Sequence, residues 1–158
     1  MNQISSKAIL VVSFGTSYKE ARIASIEQIE KDISEAFPDF RLYHAWTSKM
    51  ILSVLRKRDS LVIPTVKEAM EQMIQDGITK LIVQPTHILD GIENNIMKED
   101  VLSYKKEFQS IVFGAPLLSS EKDSQAIIHA ISEEFPDLAS EDALVLMGHG
   151  TAHHVNVV

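Results

Sequence analysis

Cysteine is absent from all 158 residues of the chain. Disulfides, thiolate nucleophiles, iron–sulfur clusters and zinc–thiolate sites are therefore excluded, and nothing indicates an oxidising compartment. Long apolar runs are also lacking, because the stretch 8–14 is far shorter than the ~20 residues of a membrane-spanning helix and no small-residue cleavage site follows it. We therefore expect a cytoplasmic protein that does not insert into a membrane.

The chain also has no long run of lysine and arginine, and its formal net charge is -7. A nucleic-acid partner is therefore not expected, because phosphate binding needs a basic footprint. A polyanionic ligand would need a local basic patch, whereas a metal cation would be attracted by the overall field. The Gly-x-Ser-x-Gly, Gly-x-x-x-x-Gly-Lys-Ser/Thr and Gly-x-Gly-x-x-Gly motifs are missing, which argues against the common hydrolase and nucleotide sites.

What the chain does contain is enough apolar sequence, 45% of its residues, for the core of one domain. Short apolar runs alternate with amphipathic segments, which indicates βαβ crossovers. The fold class predicted is α/β, a doubly wound parallel sheet of about four to five strands flanked by helices, with residues 1–158 as a single lobe. The strands are predicted at 8–14, 40–46, 80–85, 110–114 and 143–147.

Several helix boundaries are also predicted. Ser17 and Glu20 have the spacing of a capping box, so a helix should begin there. Thr47 is a candidate cap for the next helix, and Pro64 is expected in the first turn of another. A single helix is predicted from about residue 92 to 108.

Ligands of such sheets bind outside the carboxyl ends of the strands. Three of these exits carry polar or glycine-rich sequence, at 13–17, 87–93 and 148–154. The first could hold a carboxylate or phosphate at a helix N-terminus, although the motif is weak. These three segments are the candidate sites.

His149 is the strongest candidate side chain, because the glycines beside it permit positive φ and close approach of a ligand. Neutral imidazole is a common metal ligand and a general base near pH 7. His87 follows a strand and a proline, and either ligand binding or loop capping would explain it. Of His153 and His154, at most one can join His149, because consecutive helical side chains do not share a face.

The remaining candidates are weaker. Glu93 lies near a helix start, where the helix dipole favours a carboxylate in any case. Its position on a strand exit expected to neighbour the glycine-flanked histidine raises its interest. His44 is expected to be a packing residue, and His129 a surface or boundary residue.

Five motifs, in order along the chain, together resemble the anaerobic-pathway sirohydrochlorin cobaltochelatase family of class II tetrapyrrole metal chelatases. Each motif is weak alone, but the set is specific. The motifs are Val11–Tyr18, Ala45–Ser48 followed by Met50–Ile51, His87–Glu93, Gly114–Ser120 and Met147–His154.

The resemblance implies a lyase-type enzyme that inserts Co²⁺ into sirohydrochlorin during cobalamin biosynthesis. It assigns His149 and Glu93 to metal binding and to assisting pyrrole deprotonation. Co²⁺ is then a substrate metal, with Ni²⁺, Fe²⁺ and Zn²⁺ as alternatives that ligand type does not distinguish, and no organic cofactor is expected. The residues expected to contact the tetrapyrrole are Ser13, Phe14, Gly15, Thr16, His87, Gly148, Gly150 and His153.

Members of this family pair two similar α/β lobes around the macrocycle, so we expect this chain to be the N-terminal lobe. The partner is then a C-terminal lobe, which carries the family's second catalytic histidine, or a second copy of the chain. An alternative function is a non-catalytic or truncated α/β module that binds a tetrapyrrole or a metal without insertion. Turnover of cobalt would distinguish the two.

Overall fold

A parallel β-sheet forms the centre of the computed structural model, which describes residues 6–137 and 141–147. Its strands are β1 (Lys7–Ser13), β2 (Arg41–Trp46), β3 (Lys80–Pro85) and β4 (Ser110–Phe113). They lie in the order β2-β1-β3-β4, and every neighbouring pair is parallel. The predicted α/β class, with a parallel sheet flanked by helices, is confirmed.

Helices connect the strands. They are α1 (Lys19–Ala21), α2 (Gln28–Ala36), α3 (Lys49–Asp59), α4 (Val66–Gln75), α5 (Ile92–Leu102) and α6 (Glu121–Glu134). A π-helical turn, Arg22–Glu27, joins α1 to α2, and a 3₁₀ turn, Lys105–Glu107, follows α5. The single helix predicted for 92–108 is therefore two shorter elements. In the described ranges, no helix is long and apolar enough to cross a membrane.

Strand β1 lies at the centre of the sheet, between β2 and β3, and all of its residues from Ala8 to Ser13 are buried. This double-sided burial explains its unbroken apolar sequence. On one face, Leu10 and Val12 belong to a core cluster with Met70 of α4 and Met97 of α5. The apolar faces of α4 and α5 thus cover this face of the sheet, and the loops lie at the carboxyl ends of the strands.

Two details at the starts of α3 and α4 differ from prediction. Ser48, and not Thr47, caps α3, with its hydroxyl accepting a hydrogen bond from the N–H of Ile51. Helix α4 begins after a capping box of Thr65 and Glu68, so Pro64 precedes the cap. Such caps satisfy backbone N–H groups that the first turn leaves unpaired.

The capping box predicted at Ser17 and Glu20 is wrong. The N-cap of α1 is Tyr18, and in this described region its side chain makes no capping hydrogen bond. The carbonyl of Ser17 instead accepts a hydrogen bond from the guanidinium of Arg58, at the end of α3. This long-range contact fixes the loop before the helix begins, and a local pattern cannot reveal it.

The fifth strand predicted at 143–147 is also wrong, because residues 142–147 form no regular secondary structure. Val145 and Met147 are 84% and 94% exposed. An apolar run becomes a buried strand only where a neighbouring strand pairs with its backbone. Within the described part of the sheet, β4 pairs only with β3.

Candidate functional site

The carboxyl ends of β1, β2 and β3 are joined by backbone hydrogen bonds between the loops that follow them. The N–H of Thr86 donates to the carbonyl of Val12 at 2.9 Å, and the N–H of Thr47 donates to that of Ser13 at 3.0 Å. The segment after β4 is linked as well, through Leu117 N–H to the His87 carbonyl at 3.0 Å. Two of the three predicted site segments, at 13–17 and 87–93, therefore lie at one edge of the sheet.

Ser13 ends β1 and is almost completely buried. Its hydroxyl oxygen accepts a hydrogen bond from the Thr86 hydroxyl at 2.8 Å. Ser13 therefore links the exits of β1 and β3 from beneath. The next residue, Phe14, is 45% exposed, so this segment reaches the surface within one residue of the strand.

Gly15 shows why the first segment needs glycine. Its φ is +101°, and a Cβ added there would lie 2.4 Å from Cε3 of Trp46. The lack of a side chain at Gly15 thus lets the backbone lie close to the buried indole of Trp46 at the end of β2. Thr16 follows, and its hydroxyl accepts a hydrogen bond from the Tyr18 N–H at 3.3 Å.

His87 is half-buried after β3, and both of its ring nitrogens are shielded from solvent. Neither nitrogen has a hydrogen-bond partner within 6–137 or 141–147. Burial lowers the pKa of His87, and the nearby charge of Glu93 only partly opposes that shift. The ring is therefore neutral near pH 7, with one nitrogen able to donate and the other to accept.

Glu93 and Asn94 lie in the first turn of α5 and differ in exposure. Glu93 is exposed, whereas Asn94 is completely buried. The Asn94 amide N–H donates to the carboxylate of Asp90, which also lies 3.2 Å from the Lys98 ammonium. The amide oxygen of Asn94 has no partner among the described residues.

These unpartnered groups share one location. In the described part of the chain, the buried side-chain atoms without a hydrogen-bond partner are the Thr47 hydroxyl, both His87 nitrogens and the Asn94 oxygen. All of them belong to segments that follow the carboxyl ends of β2 and β3. Since a buried polar group left unpaired costs about 1–3 kcal/mol, such a concentration marks a place where a ligand or water would bind.

The other predicted site residues, His149, Gly148, Gly150 and His153, lie outside the described residues. Among those that are described, no group of three histidine, aspartate or glutamate side chains is arranged to hold a metal ion. Of the proposed metal-binding pair, the structure thus places only Glu93, close enough to His87 for its charge to act on the ring.

The sequence did not indicate two features of this edge. The sequence indicated Thr47 only as a possible helix cap and gave no reason to single out Thr86, because no pattern distinguishes a buried hydroxyl there from an exposed one. A cavity of about 580 Å³ lies beside Ser17 and is lined by Lys19 and Arg58 among others. His87 and Glu93 do not line this cavity. The unpartnered atoms are the better marker of the candidate site, because they identify specific donors and acceptors.

Residues 7–158 match the model of a family described as "Cobalt chelatase (CbiK)". A sirohydrochlorin cobaltochelatase of Salmonella typhimurium is 36% identical over 148 residues, which cover 94% of this chain and 56% of that protein. Sirohydrochlorin cobaltochelatase CbiKC of Nitratidesulfovibrio vulgaris is 28% identical over 156 residues, which cover 95% of this chain and 54% of that protein. The chain therefore spans about half the length of the curated relatives it matches.

A solved structure has a similar fold. It is that of a putative cobalamin (vitamin B12) biosynthesis CbiX protein from Marinobacter aquaeolei VT8, with a TM-score of 0.54 and 15% identity. The alignment covers 82% of this chain and 98% of that one. At this level of identity the likeness supports the α/β fold alone.

Proposed function

Because this chain belongs to the cobalt chelatase (CbiK) family, we propose that it takes part in inserting Co²⁺ into sirohydrochlorin during cobalamin biosynthesis. The observation that carries the proposal is the set of unpartnered buried polar atoms around His87 and Asn94, beside Glu93. A tetrapyrrole with its metal would supply both hydrogen-bond partners and positive charge at this edge. We also propose that the reaction takes place in the cytoplasm, the compartment expected for a chain without cysteine.

Metal insertion requires a partly dehydrated Co²⁺ to be held above the ring while two pyrrole N–H protons leave. Carboxylate and imidazole suit both tasks, because they bind Co²⁺ without a thiolate's tight grip and they accept protons. We assign Glu93 and His149 to these roles. Ni²⁺, Fe²⁺ and Zn²⁺ would compete, since ligand type alone does not select cobalt.

His87 is assigned to binding the tetrapyrrole. Its low pKa, caused by burial, keeps the ring neutral, so it can donate to one polar group and accept from another. Phe14, Gly15 and Thr16 would contact the macrocycle from the β1 exit, with Ser13 supporting them from below. Gly148, Gly150 and His153 are proposed on the same grounds as His149, from the family motif.

The curated relatives are about twice as long as the matched region. We propose that the macrocycle is enclosed between this α/β unit and a second one, in a longer chain or a second copy. Sedimentation velocity with sirohydrochlorin present tests the second arrangement. A strictly monomeric profile, together with cobalt insertion by that monomer, would contradict it.

The central experiment follows cobalt insertion into sirohydrochlorin by absorbance. The double variant Glu93→Ala/His149→Ala is expected to reduce the rate about 10²–10⁴-fold, the usual contribution of positioned acid–base groups. His129→Ala is the matched control, because His129 is exposed on α6 and pairs only with Glu133 in the described region. Equal rates for the double variant and the wild type would refute the assignment.

A second candidate function is binding of a tetrapyrrole or metal without insertion, which the same unpartnered polar atoms would serve. The same assay separates the two. Sirohydrochlorin binding with no cobalt insertion would support the binding module. His87→Ala should weaken tetrapyrrole binding in either case, while the free energy of unfolding changes little, because no described hydrogen bond is lost.

A further inference from the structure

A second group of charged side chains lies on the same side of the sheet, beside the loop after β1. Lys19, Arg22 and Arg58 line the cavity of about 580 Å³, here called the basic pocket. We propose that the basic pocket binds carboxylate side chains on the rim of the tetrapyrrole. This inference rests on the proposed function. It concerns the periphery of the macrocycle, whereas the site around His87 and Glu93 concerns its centre.

Arg58 is held in place before any ligand arrives. Its Nε and Nη2 donate to the two carboxylate oxygens of Asp59 at 2.8 and 2.7 Å, and Nη2 also donates to the Ser17 carbonyl. Nη1 makes no hydrogen bond to another described residue. A guanidinium fixed in this way binds a carboxylate with little loss of side-chain entropy.

Arg22 and Lys19 contribute further positive charge. Arg22 Nε lies 2.7 Å from Glu27 and its side chain is only 14% exposed, whereas Lys19 makes no salt bridge within the described ranges. The pKa of Asp59 is held below its usual range, first by the hydrogen bond from Arg58 and also by the charges of Arg22 and Lys19. The positive charges of Arg58, Arg22 and Lys19 therefore all act on the carboxylate of Asp59.

The backbone at this place is unusual as well. Arg22 opens the π-helical turn that interrupts the helical run from Lys19 to Ala36. π-Helical turns are rare and occur frequently at functional sites. Here the turn lies directly against the basic pocket.

Charge is the reason to expect a carboxylate ligand. The chain carries a net charge of -7, so a polycarboxylate is repelled by the protein as a whole and needs a local positive site. Three cations and the two carboxylates of Glu20 and Asp59 line the basic pocket. Arg22 is paired with Glu27 and Arg58 with Asp59, so a ligand carboxylate would meet chiefly the Lys19 ammonium and Nη1 of Arg58. The exits of β1 and β3 belong to adjacent strands, about 4.8 Å apart, so one macrocycle can reach both.

The test uses two neighbouring residues whose charges oppose each other. Lys19→Gln should weaken binding of sirohydrochlorin about 2- to 5-fold, and Glu20→Gln should strengthen it by a similar factor, the range for exposed ion pairs. Lys31→Gln and Glu35→Gln, an exposed pair in α2 away from the pocket, should change nothing. General loss of structure would shift the first two variants in the same direction.

Carboxylate number gives a second measurement. Metal-free uroporphyrin should bind more tightly than coproporphyrin, which has fewer carboxylates, and Lys19→Gln/Arg22→Gln should reduce that difference. Raising the salt concentration should weaken wild-type binding more than binding by this double variant. Equal affinities across all variants and both porphyrins would overturn the basic pocket while leaving the proposed function intact.

A failure of the proposed function itself has a different signature. The wild type would then insert no cobalt into sirohydrochlorin, whether or not it binds the tetrapyrrole. Titration with glutarate, followed through backbone amide NMR signals, tests the pocket separately. Shifts confined to the loop after β1 and the end of α3 support carboxylate binding there, and their absence overturns it.

Discussion

Gly15→Ala tests whether the loop after β1 is fixed by its contact with Trp46. The new Cβ would lie 2.4 Å from Cε3 and 2.8 Å from Cδ2 of the indole, and Trp46 is only 2% exposed, so it has little room to move. Forcing such an overlap costs about 1–3 kcal/mol. The positive φ adds about 1–3 kcal/mol for a residue with a side chain.

Alanine also restricts the unfolded chain, which offsets about 0.4–1 kcal/mol. The expected net loss in the free energy of unfolding is therefore about 1–6 kcal/mol, with a middle value of about 3 kcal/mol. Gly77→Ala is the matched control, because Gly77 has a φ of +75° but nothing within 4 Å of an added Cβ. It should lose only about 1 kcal/mol, the strain of the left-handed region less the same offset.

Urea denaturation, with midpoints and slopes compared, measures both variants. Adding Trp46→Phe to each supplies a double-mutant cycle, since phenylalanine lacks the outer indole ring that the Cβ would meet. The cost of Gly15→Ala should then fall towards that of Gly77→Ala. Equal losses for the two glycine variants in the wild-type background would refute the close-contact explanation.

Three further predictions concern stability. Thr65→Ala should cost about 1 kcal/mol in urea denaturation by removing the capping box of the core helix α4, and Ser120→Ala should cost less, because α6 has no buried residues. The hydrogen bond to Glu30, 3.2 Å away, raises the pKa of His44. The stability that this pair contributes is therefore present below the unfolded pKa of about 6.5 and is lost as the pH rises through the folded pKa. Unfolding measured from pH 6 to 8 should show this pH-dependent loss of stability in the wild type and not in His44→Gln. Asn94→Leu should leave the free energy of unfolding within about 1 kcal/mol of wild type, because it removes an unpartnered oxygen together with the hydrogen bond to Asp90. It should nevertheless weaken sirohydrochlorin binding. A decrease in the free energy of unfolding above about 3 kcal/mol would contradict this reasoning.

The sheet was predictable from sequence because burial on both faces leaves a direct mark on composition. Every residue of β1 from Ala8 onward is buried, and its apolar run is continuous. The run at 143–147 has similar composition, but no described strand pairs with it and its side chains are largely exposed. Composition reports that a segment is able to form a buried strand, whereas pairing depends on a neighbour elsewhere in the chain.

The candidate site was predictable in position and not in detail. The rule that ligands bind at the carboxyl ends of parallel strands brought His87 and Glu93 to one edge, and the structure places them there. The interest of Asn94 lies in its buried, unpartnered amide oxygen, and the residue type alone does not predict that burial. Arg58 lies 41 residues from the Ser17 carbonyl that it contacts, so the basic pocket had no local signal.

Under the proposed function, the two polar regions of this edge would bind different parts of a tetrapyrrole, because they differ in solvation. The basic pocket is open, and its Arg58 is 51% exposed, so each contact there is weak and depends on salt. The His87 and Asn94 atoms are shielded from water, where a hydrogen bond is electrostatically stronger and a missing one costs more. Rim carboxylates therefore suit the first region, because they remain partly hydrated. Under the proposed function, the less polar ring centre would suit the second region, where Glu93 is the proposed proton acceptor.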